Sequence, residues 1–88
     1  MYYVYILHLS NGNYYKGSTG DLRRRIDQHK KGLSPATKPY RPVKLIHYEA
    51  YVLKSDAERR EKFLKTTEGK RLLKKQLRDI LQQKDMGL

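Results

Sequence analysis

The stretch YYVYILHLSNGNYYKGS, residues 2–18, decides the fold. Its first half is rich in aromatic and β-branched residues, and this composition predicts a β-strand. Asn11-Gly12 is the strongest short signal for a β-hairpin, because both residue types tolerate a positive φ. We therefore expect the second half to return antiparallel and to bring Tyr15 near the level of Tyr5 in the adjacent strand.

Alternation assigns the side chains of the first strand to two faces of the sheet. One face carries Tyr3, Tyr5, Leu7 and Leu9, and the other carries Tyr2, Val4, Ile6 and His8. In the second strand, Lys16 points away from the face of Tyr15. Gly17 ends that strand where a side chain would crowd the neighbouring backbone or a ligand.

A helix is predicted directly after the hairpin, from Asp21 to about Lys31. Thr19 or Asp21 offers the N-cap, and Gly32 is a natural stop. The residues of this helix sort by side: Leu22 and Ile26 form the buried stripe, Arg25 and His29 lie beside it, and Arg23 and Arg24 point to solvent.

Four polar side chains are expected to meet where the hairpin runs into this helix. Tyr5, Tyr15 and Arg25 are spaced by ten residues, and His29 follows one helical turn later. Two phenols, a guanidinium and an imidazole form a polar cluster that a hydrophobic core has no reason to assemble. We interpret the cluster as an active site. Taken singly, Tyr5 also fits a core position and His29 an ordinary surface position.

The rest of the chain predicts a loop, a third strand and two more helices. The two strands of the hairpin span Tyr2–Leu9 and Asn13–Ser18. After the first helix come a proline-rich loop at Leu33–Pro42 and a third strand at Val43–Val52. A second helix opens with a capping box at Ser55–Glu58, a break follows at Thr66–Gly69, and a last helix runs to about Gln83. The third strand is apolar enough to be central. The fold class is α+β, a three-stranded antiparallel sheet flanked by helices, in one domain over 1–83 with a frayed tail at 84–88.

Glu61 is the informative residue of the second helix. It shares a helix face with Ala57 and Leu64, so a carboxylate stands in an apolar stripe. An acid in this position usually has a partner: a cation, a hydrogen-bond donor or a metal ion. Two readings follow: an ion pair with Arg59, Arg60 or Arg25, or a metal ligand.

Net charge indicates the kind of partner. Twenty Lys and Arg against nine Asp and Glu give +11 in 88 residues, spread through every segment. This charge attracts polyanions, above all nucleic-acid phosphates, although an inert basic surface has the same composition. The chain has no cysteine for a disulfide framework or a thiolate zinc site, and no apolar run or signal peptide that indicates a membrane. We expect a monomeric cytoplasmic protein.

The ordered set of these residues resembles the GIY-YIG nuclease domain. The resemblance rests on Tyr3-Val4-Tyr5, Tyr15-Lys16-Gly17, Arg25, His29 and Glu61, and it covers about Tyr2 to Leu81. The small stand-alone members, similar to the N-terminal domain of excinuclease C, share Asp21-Leu22 before the arginines, Thr37 with Pro39 and Pro42, and Ala57 with Arg60-Glu61 and Leu64-Lys65.

The resemblance implies metal-dependent hydrolysis of phosphodiester bonds, with a role for each site residue. Tyr5 would be the general base, acting directly or through a relay, and Tyr15 would hold Tyr5 or the attacking water. Arg25 would bind the scissile phosphate, and His29 would assist by a hydrogen bond. Glu61 would hold Mg2+ or Mn2+. Contacts to DNA, with RNA as an alternative, are expected from Lys16, Arg24, Lys38, Arg41 and Lys65.

Three departures from the family pattern bear on activity. Tyr3 replaces the first-motif glycine, and Lys16 replaces the usual aliphatic residue of the second motif. No asparagine follows Glu61, and Thr66 or Thr67 is the available substitute. The function that the resemblance implies is still a DNA endonuclease. We expect low sequence specificity and action on branched or single-stranded DNA in repair or recombination. The alternatives are a non-catalytic nucleic-acid-binding module of the same fold and a basic module for a protein partner.

Overall fold

The computed structural model describes residues 1–83, and the tail predicted at 84–88 lies outside the described residues. The elements in chain order are β1 (Tyr2–His8), β2 (Tyr14–Thr19), α1 (Leu22–Lys30), a short 3-10 turn (Lys38–Tyr40), β3 (Lys44–Tyr51), α2 (Lys54–Leu64), α3 (Thr67–Gln76) and α4 (Arg78–Gln82). None of the helices over residues 1–83 is long and apolar enough to cross a membrane.

The three strands form one antiparallel sheet in the order β2-β1-β3, which confirms the predicted α+β fold. The prediction that the third strand is central is wrong, because β1 occupies the centre. Val4, Tyr5, Ile6 and Leu7 of β1 are all buried. In β3 no residue is fully buried, since polar His47 and Glu49 interrupt its apolar run.

The hairpin brings Tyr15 near the level of Tyr5, as predicted. Tyr5 pairs with Gly17, and Tyr15 pairs with Leu7, so the two tyrosines are offset by two residues. The turn sets this register. The Leu9 amide donates to the Asn13 carbonyl at 2.9 Å, and three residues connect them, ending in Gly12 at φ 86°. Three-residue loops of this kind are common after two-residue ones, and the register follows from the loop length.

Helices cover both faces of the sheet, as alternation along β1 predicts. Val4 and Ile6 pack with Ala57, Leu64 and Leu73 of α2 and α3. On the other face Tyr5, Leu7 and Leu9 pack with Ile26 of α1 and with Val43. The α1 face and the α2/α3 face of the sheet are therefore separate environments that meet at the exposed edge of β2.

The start and stop of α1 agree with the sequence. Asp21 is the N-cap, and its carboxylate accepts a hydrogen bond from the Arg24 amide at 3.1 Å. Thr19 supports the cap, because its hydroxyl accepts from the Asp21 amide at 3.1 Å. Gly32 follows the helix with φ 77°, the left-handed conformation that glycine adopts without strain.

The later helices differ from the prediction at three boundaries. The predicted capping box at Ser55–Glu58 does not form, because α2 begins at Lys54 after Leu53, with no side-chain cap. Thr66 caps α3 instead, accepting from the Gly69 amide at 3.0 Å. The last predicted helix is two helices, since the backbone at Leu77 leaves the helical region at φ −104° and ψ 24°.

Gly69 allows α3 to approach the end of α2. A Cβ built there would overlap the Phe63 carbonyl group and stand 2.9 Å from the Leu64 Cα, all rigid backbone. We predict that Gly69→Ala lowers the free energy of unfolding by about 1–3 kcal/mol, as overpacking does elsewhere. Urea denaturation measures the change.

Gly20→Ala is the matched control, because a Cβ there meets nothing closer than 3.8 Å and its φ is not left-handed. A Gly69→Ala protein as stable as the Gly20→Ala protein would contradict this account of the α2–α3 junction.

Candidate active site

A buried chain of hydrogen bonds forms the centre of the site. The Tyr5 hydroxyl lies 2.8 Å from His29 Nε2, and His29 Nδ1 lies 2.7 Å from Thr37 Oγ1. Tyr5 is 1% exposed, and His29 and Thr37 are 0% exposed. The surface reading of His29 is therefore wrong, and both ring nitrogens have a partner inside the protein.

Three separate elements supply the members of this chain. Tyr5 belongs to the central strand β1, and His29 belongs to α1, on the side facing the sheet. Thr37 is fixed by a tight turn, since its amide donates to the Ser34 carbonyl at 3.1 Å and its carbonyl accepts from the Tyr40 amide at 2.9 Å. The sequence signalled Thr37 only through its place between prolines, which did not reveal its contact with His29.

Tyr15 completes an aromatic cluster around His29. Its ring centre lies 5.1 Å from that of His29 and 6.2 Å from that of Tyr5, and the Tyr5 and His29 rings are 5.6 Å apart. No hydrogen bond joins the two tyrosines within residues 1–83. Tyr15 contributes a wall beside the imidazole rather than a polar contact with Tyr5.

Gly17 makes room for the Tyr5 phenol. A Cβ at Gly17 would stand 2.5 Å from the Tyr5 hydroxyl and 2.6 Å from its ring carbon Cζ. Since Gly17 is the strand partner of Tyr5, the phenol folds over the β2 backbone towards the edge of the sheet. The crowding predicted at this glycine comes from Tyr5 itself.

Arg25 stands next to the buried chain and is tied to its surroundings. Its guanidinium donates to Gln28 Oε1 at 3.0 Å and to Ser34 Oγ at 3.3 Å. Beside it lies an open cleft of about 340 Å³, lined by Thr19, Gly20, Asp21, Arg24, Arg25 and Gln28. The contacts to Gln28 and Ser34, which the sequence did not reveal, fix the Arg25 guanidinium at the wall of this cleft.

Burial sets the protonation states of the central pair. It raises the pKa of Tyr5 to about 12, although the nearby Arg25 guanidinium acts in the opposite direction. Burial and the positive charge of Arg25 lower the pKa of His29 below its ordinary value. At neutral pH the phenol is therefore protonated and the imidazole is neutral.

Glu61 reaches the β2 edge from the α2/α3 face of the sheet. Ser18 donates to its Oε1, and Lys65 Nζ lies 2.7 Å from its Oε2. The predicted ion pair with Arg59, Arg60 or Arg25 does not form, because Arg59 pairs with Asp56 and Arg60 pairs with Glu49. Ser18 follows Gly17 directly, so Glu61 and Tyr5 approach the same short segment of β2 from opposite faces.

The carboxylate of Glu61 is suited to a cation. Burial acts to raise its pKa, but the hydrogen bonds from Lys65 and Ser18 hold that pKa below its ordinary value, so the group is ionised. Its side chain is 20% exposed. Residues 1–83 contain no cluster of three acidic, histidine or cysteine side chains around it. An ionised, partly exposed carboxylate is the kind of oxygen ligand that Mg2+ prefers.

Of the five predicted nucleic-acid contacts, Lys38 is an exposed residue of the 3-10 turn. Arg24 lines the cleft beside Arg25. Arg41 packs its guanidinium over Gly32 and donates to the Lys38 carbonyl at 3.1 Å. Lys16 lies on the α2/α3 face, and Lys65 is bound to Glu61 there.

Thr66 does not replace the missing asparagine. Its hydroxyl donates to the Phe63 carbonyl at 2.6 Å and accepts from the Gly69 amide, which commits it to the α2–α3 junction. Thr67, the first residue of α3, is exposed and has no role in the cluster around Tyr5.

Comparison with known proteins finds similar sequences and a similar structure over most of the chain. A family model described as the GIY-YIG catalytic domain matches residues 1–76. A UPF0213 protein of Halobacterium salinarum is 42% identical over 62 residues, 69% of this chain and 80% of that protein. One from Staphylococcus aureus is 40% identical over 66 residues, 74% of this chain and 80% of that protein. The solution NMR structure of a UPF0213 protein from Bacillus halodurans matches with a TM-score of 0.56 and 34% identity, covering 86% of this chain and 85% of that one.

The lowered pKa of His29 makes the stability of the protein depend on pH. A neutral buried imidazole contributes stability above the unfolded-state pKa of about 6.5, and this contribution is lost as the pH falls towards the lower folded-state pKa. We predict that the free energy of unfolding decreases below pH 6.5, with a slope from His29 of at most about 1.4 kcal/mol per pH unit.

Urea denaturation between pH 7.5 and 5 measures this slope, and His29→Gln isolates the contribution of the imidazole. The variant should lose less stability over the same range than the unaltered protein. Equal slopes for the two proteins would show that His29 does not titrate as a buried neutral group.

Proposed function

Because the chain belongs to the GIY-YIG catalytic-domain family, a family of nucleases, we propose that it is a divalent-metal-dependent endonuclease that hydrolyses DNA phosphodiester bonds. The observation that carries the proposal is the buried chain from Tyr5 to His29 and Thr37 beside the Arg25 cleft. A hydrogen-bonded phenol and imidazole next to a fixed guanidinium combine proton transfer with phosphate binding in one place.

Tyr5 and His29 act together as the general base. With a pKa of about 12, the phenol alone holds its proton at neutral pH. In the proposed relay the neutral His29 is the Nδ1–H tautomer. Nδ1, 2.7 Å from Thr37 Oγ1, donates to that hydroxyl, and Nε2, 2.8 Å from the Tyr5 hydroxyl, accepts its proton. As water attacks phosphorus, its proton passes to the Tyr5 oxygen while the phenolic proton passes to His29. This relay removes the need for a free phenolate.

Arg25 binds the scissile phosphate. Its contacts with Gln28 and Ser34 hold the guanidinium in place before the substrate arrives, which reduces the ordering that binding requires. A guanidinium offers paired N–H donors that match phosphate oxygens, and it offsets the charge that develops in the transition state. Arg24 extends the same cleft towards the neighbouring phosphate.

Glu61 is the residue that would hold Mg2+ or Mn2+. Such an ion, when bound, acts as a Lewis acid on phosphate oxygens. Glu61 supplies an ionised carboxylate at the β2 edge, on the opposite side of Gly17 from Tyr5. Lys65 occupies one of its oxygens in the free protein and has to move aside for the cation.

The substrate is recognised through phosphate and shape rather than sequence. The +11 charge supplies affinity for the backbone, and phosphate contacts carry no sequence information directly. We therefore propose low sequence specificity and branched or single-stranded DNA as the substrate, in repair or recombination. RNA is the competing substrate, and the protein acts as a cytoplasmic monomer.

A non-catalytic nucleic-acid-binding module is the second candidate. It is favoured by the commitment of Thr66 to a helix cap in place of the missing asparagine. In that reading Arg25 and the neighbouring hydroxyls form a phosphate pocket without turnover.

The proposal predicts that Tyr5→Phe and Glu61→Gln each reduce cleavage by about 100-fold or more while DNA affinity stays within a few-fold. Loss of a general base has effects of about this size. The measurement is cleavage of labelled single-stranded, duplex, flap and four-way-junction DNA in Mg2+ and in Mn2+. Tyr48→Phe is the matched control, because Tyr48 is an exposed tyrosine of β3 that packs on Tyr3, and this variant should retain full activity.

Two results would count against the nuclease. Full cleavage by Tyr5→Phe or Glu61→Gln protein would remove the assigned base or metal ligand. Binding without cleavage of every DNA form by the unaltered protein would favour the non-catalytic module.

A further inference from the structure

A groove on the α2/α3 face of the sheet has no part in the proposed chemistry. It is a cavity of about 540 Å³ between the β1–β2 hairpin and α3. Its floor is apolar and includes Ile6 and Ile46, and its rim carries three lysines, Lys16, Lys70 and Lys74. Together with Lys65 these three residues form a line of four ammonium groups, which we name the lysine strip.

The lysine strip is short of negative charge. Within residues 1–83, no acidic side chain pairs with Lys16, Lys70 or Lys74, and only Lys65 has an ion pair, with Glu61. Lys70 and Lys74 are also one turn apart on α3, a spacing at which like charges repel. The four charges act on one another, since burial and the other three lysines lower the pKa of half-buried Lys16.

Some cations outside the lysine strip have an ion pair: Lys31 pairs with Asp27, Arg60 with Glu49, and Arg71 with Glu68 on the same helix as Lys70. The lysine strip differs from other exposed cations in its position, because Lys16, Lys70 and Lys74 line one groove. A cluster of one sign lining a groove concentrates anions there.

The lysine strip is continuous with the proposed site. Lys65 binds the Glu61 carboxylate directly, and Lys16 lies on the same face of β2 as Ser18, the other partner of Glu61. A strand bound at Arg25 and Glu61 spans the β2 edge, and the lysine strip lies on its path along the α2/α3 face. This path turns from the α1 face of the sheet to the α2/α3 face around its β2 edge.

That turn selects the form of the ligand. Duplex DNA has a persistence length of about 150 base pairs and does not bend sharply around the edge of one small domain without a large deformation energy. A single strand bends freely, and basic grooves with an exposed aromatic ring are typical of proteins that bind single strands. Tyr14, 37% exposed, lies on the rim of the groove. We propose that the lysine strip binds the phosphates of a single-stranded nucleic-acid segment flanking the cleaved bond, an inference that rests on the proposed function.

The test measures binding alone, so that it is independent of catalysis. Fluorescence anisotropy records the affinity of a labelled single-stranded oligonucleotide and of a blunt duplex, in EDTA, over a range of salt concentrations. We expect K70Q/K74Q to weaken single-strand binding and to lower the slope of log K against log salt by about 0.7 per lost phosphate contact, hence about 1.4 for two. Affinity for the duplex should change less than twofold.

K30Q/K54Q is the control, because it removes the same charge from two other exposed helix positions outside the groove. This control should leave the salt slope for the single strand unchanged. Equal weakening by the two double variants would overturn the inference, as would equal loss of single-strand and duplex binding or no binding of either oligonucleotide by the unaltered protein. In the first two cases the nuclease proposal would still stand if the unaltered protein cleaves DNA and the Tyr5→Phe protein does not.

Circular dichroism at each salt concentration establishes that the K70Q/K74Q protein retains its helices. Glutamine has a helix propensity close to that of lysine, and both side chains are exposed on α3. A loss of single-strand binding with an unchanged spectrum and an unchanged duplex affinity assigns the effect to the lysine strip.

Discussion

The hydrogen bond between the Tyr5 hydroxyl and His29 Nε2 joins the central strand to the first helix inside the protein. Both groups are removed from water, so each needs its partner, and Thr37 satisfies the remaining nitrogen of the imidazole. The proline-rich loop that carries Thr37 is thereby attached to the same face of the sheet. Gly17 belongs to the same constraint, because only a residue without a side chain leaves room for the phenol.

Burial gives this arrangement its chemical character. It favours the uncharged form of both groups, so it raises the pKa of Tyr5 and lowers the pKa of His29. The phenol therefore stays protonated and the imidazole stays neutral. A proton can then move along the hydrogen bond without creating an isolated phenolate. Glu61 approaches the same strand from the other face, where Lys65 and Ser18 keep it charged. The sheet therefore separates the Tyr5–His29 pair from the Glu61 carboxylate, with the Gly17 backbone between them.

Much of this architecture could be predicted from the pattern of residues. Alternation along β1 assigned Tyr5 and Val4 to opposite faces, and the cap at Asp21 fixed the phase of α1, so Arg25 and His29 face the sheet and Arg24 does not. These features are local, and short-range rules of strand and helix geometry determine them. The family pattern then assigned roles that no local rule contains.

The features that could not be predicted depend on contacts between distant segments. The register of Tyr15 depends on whether the turn holds two or three residues, and Asn11-Gly12 is compatible with both. The position of β3 at an edge depends on its neighbours in the sheet, which its apolar composition does not reveal. The partners of Glu61 are Ser18 of β2 and Lys65, the residue that follows α2, whereas the sequence left an arginine and a metal ion as alternatives. Thr37 meets His29 only because a loop returns to α1.

The central claim is that a neutral His29, protonated at Nδ1, stands ready to accept the proton of Tyr5. Two-dimensional proton–nitrogen NMR of the imidazole at pH 7 tests it directly, because the two ring nitrogens have different shifts in each tautomer and in the cation. The account predicts the Nδ1–H tautomer, with Nε2 as the unprotonated nitrogen facing the phenol. An Nε2–H tautomer or an imidazolium at pH 7 would contradict the proposed relay and leave Tyr5 without a proton acceptor.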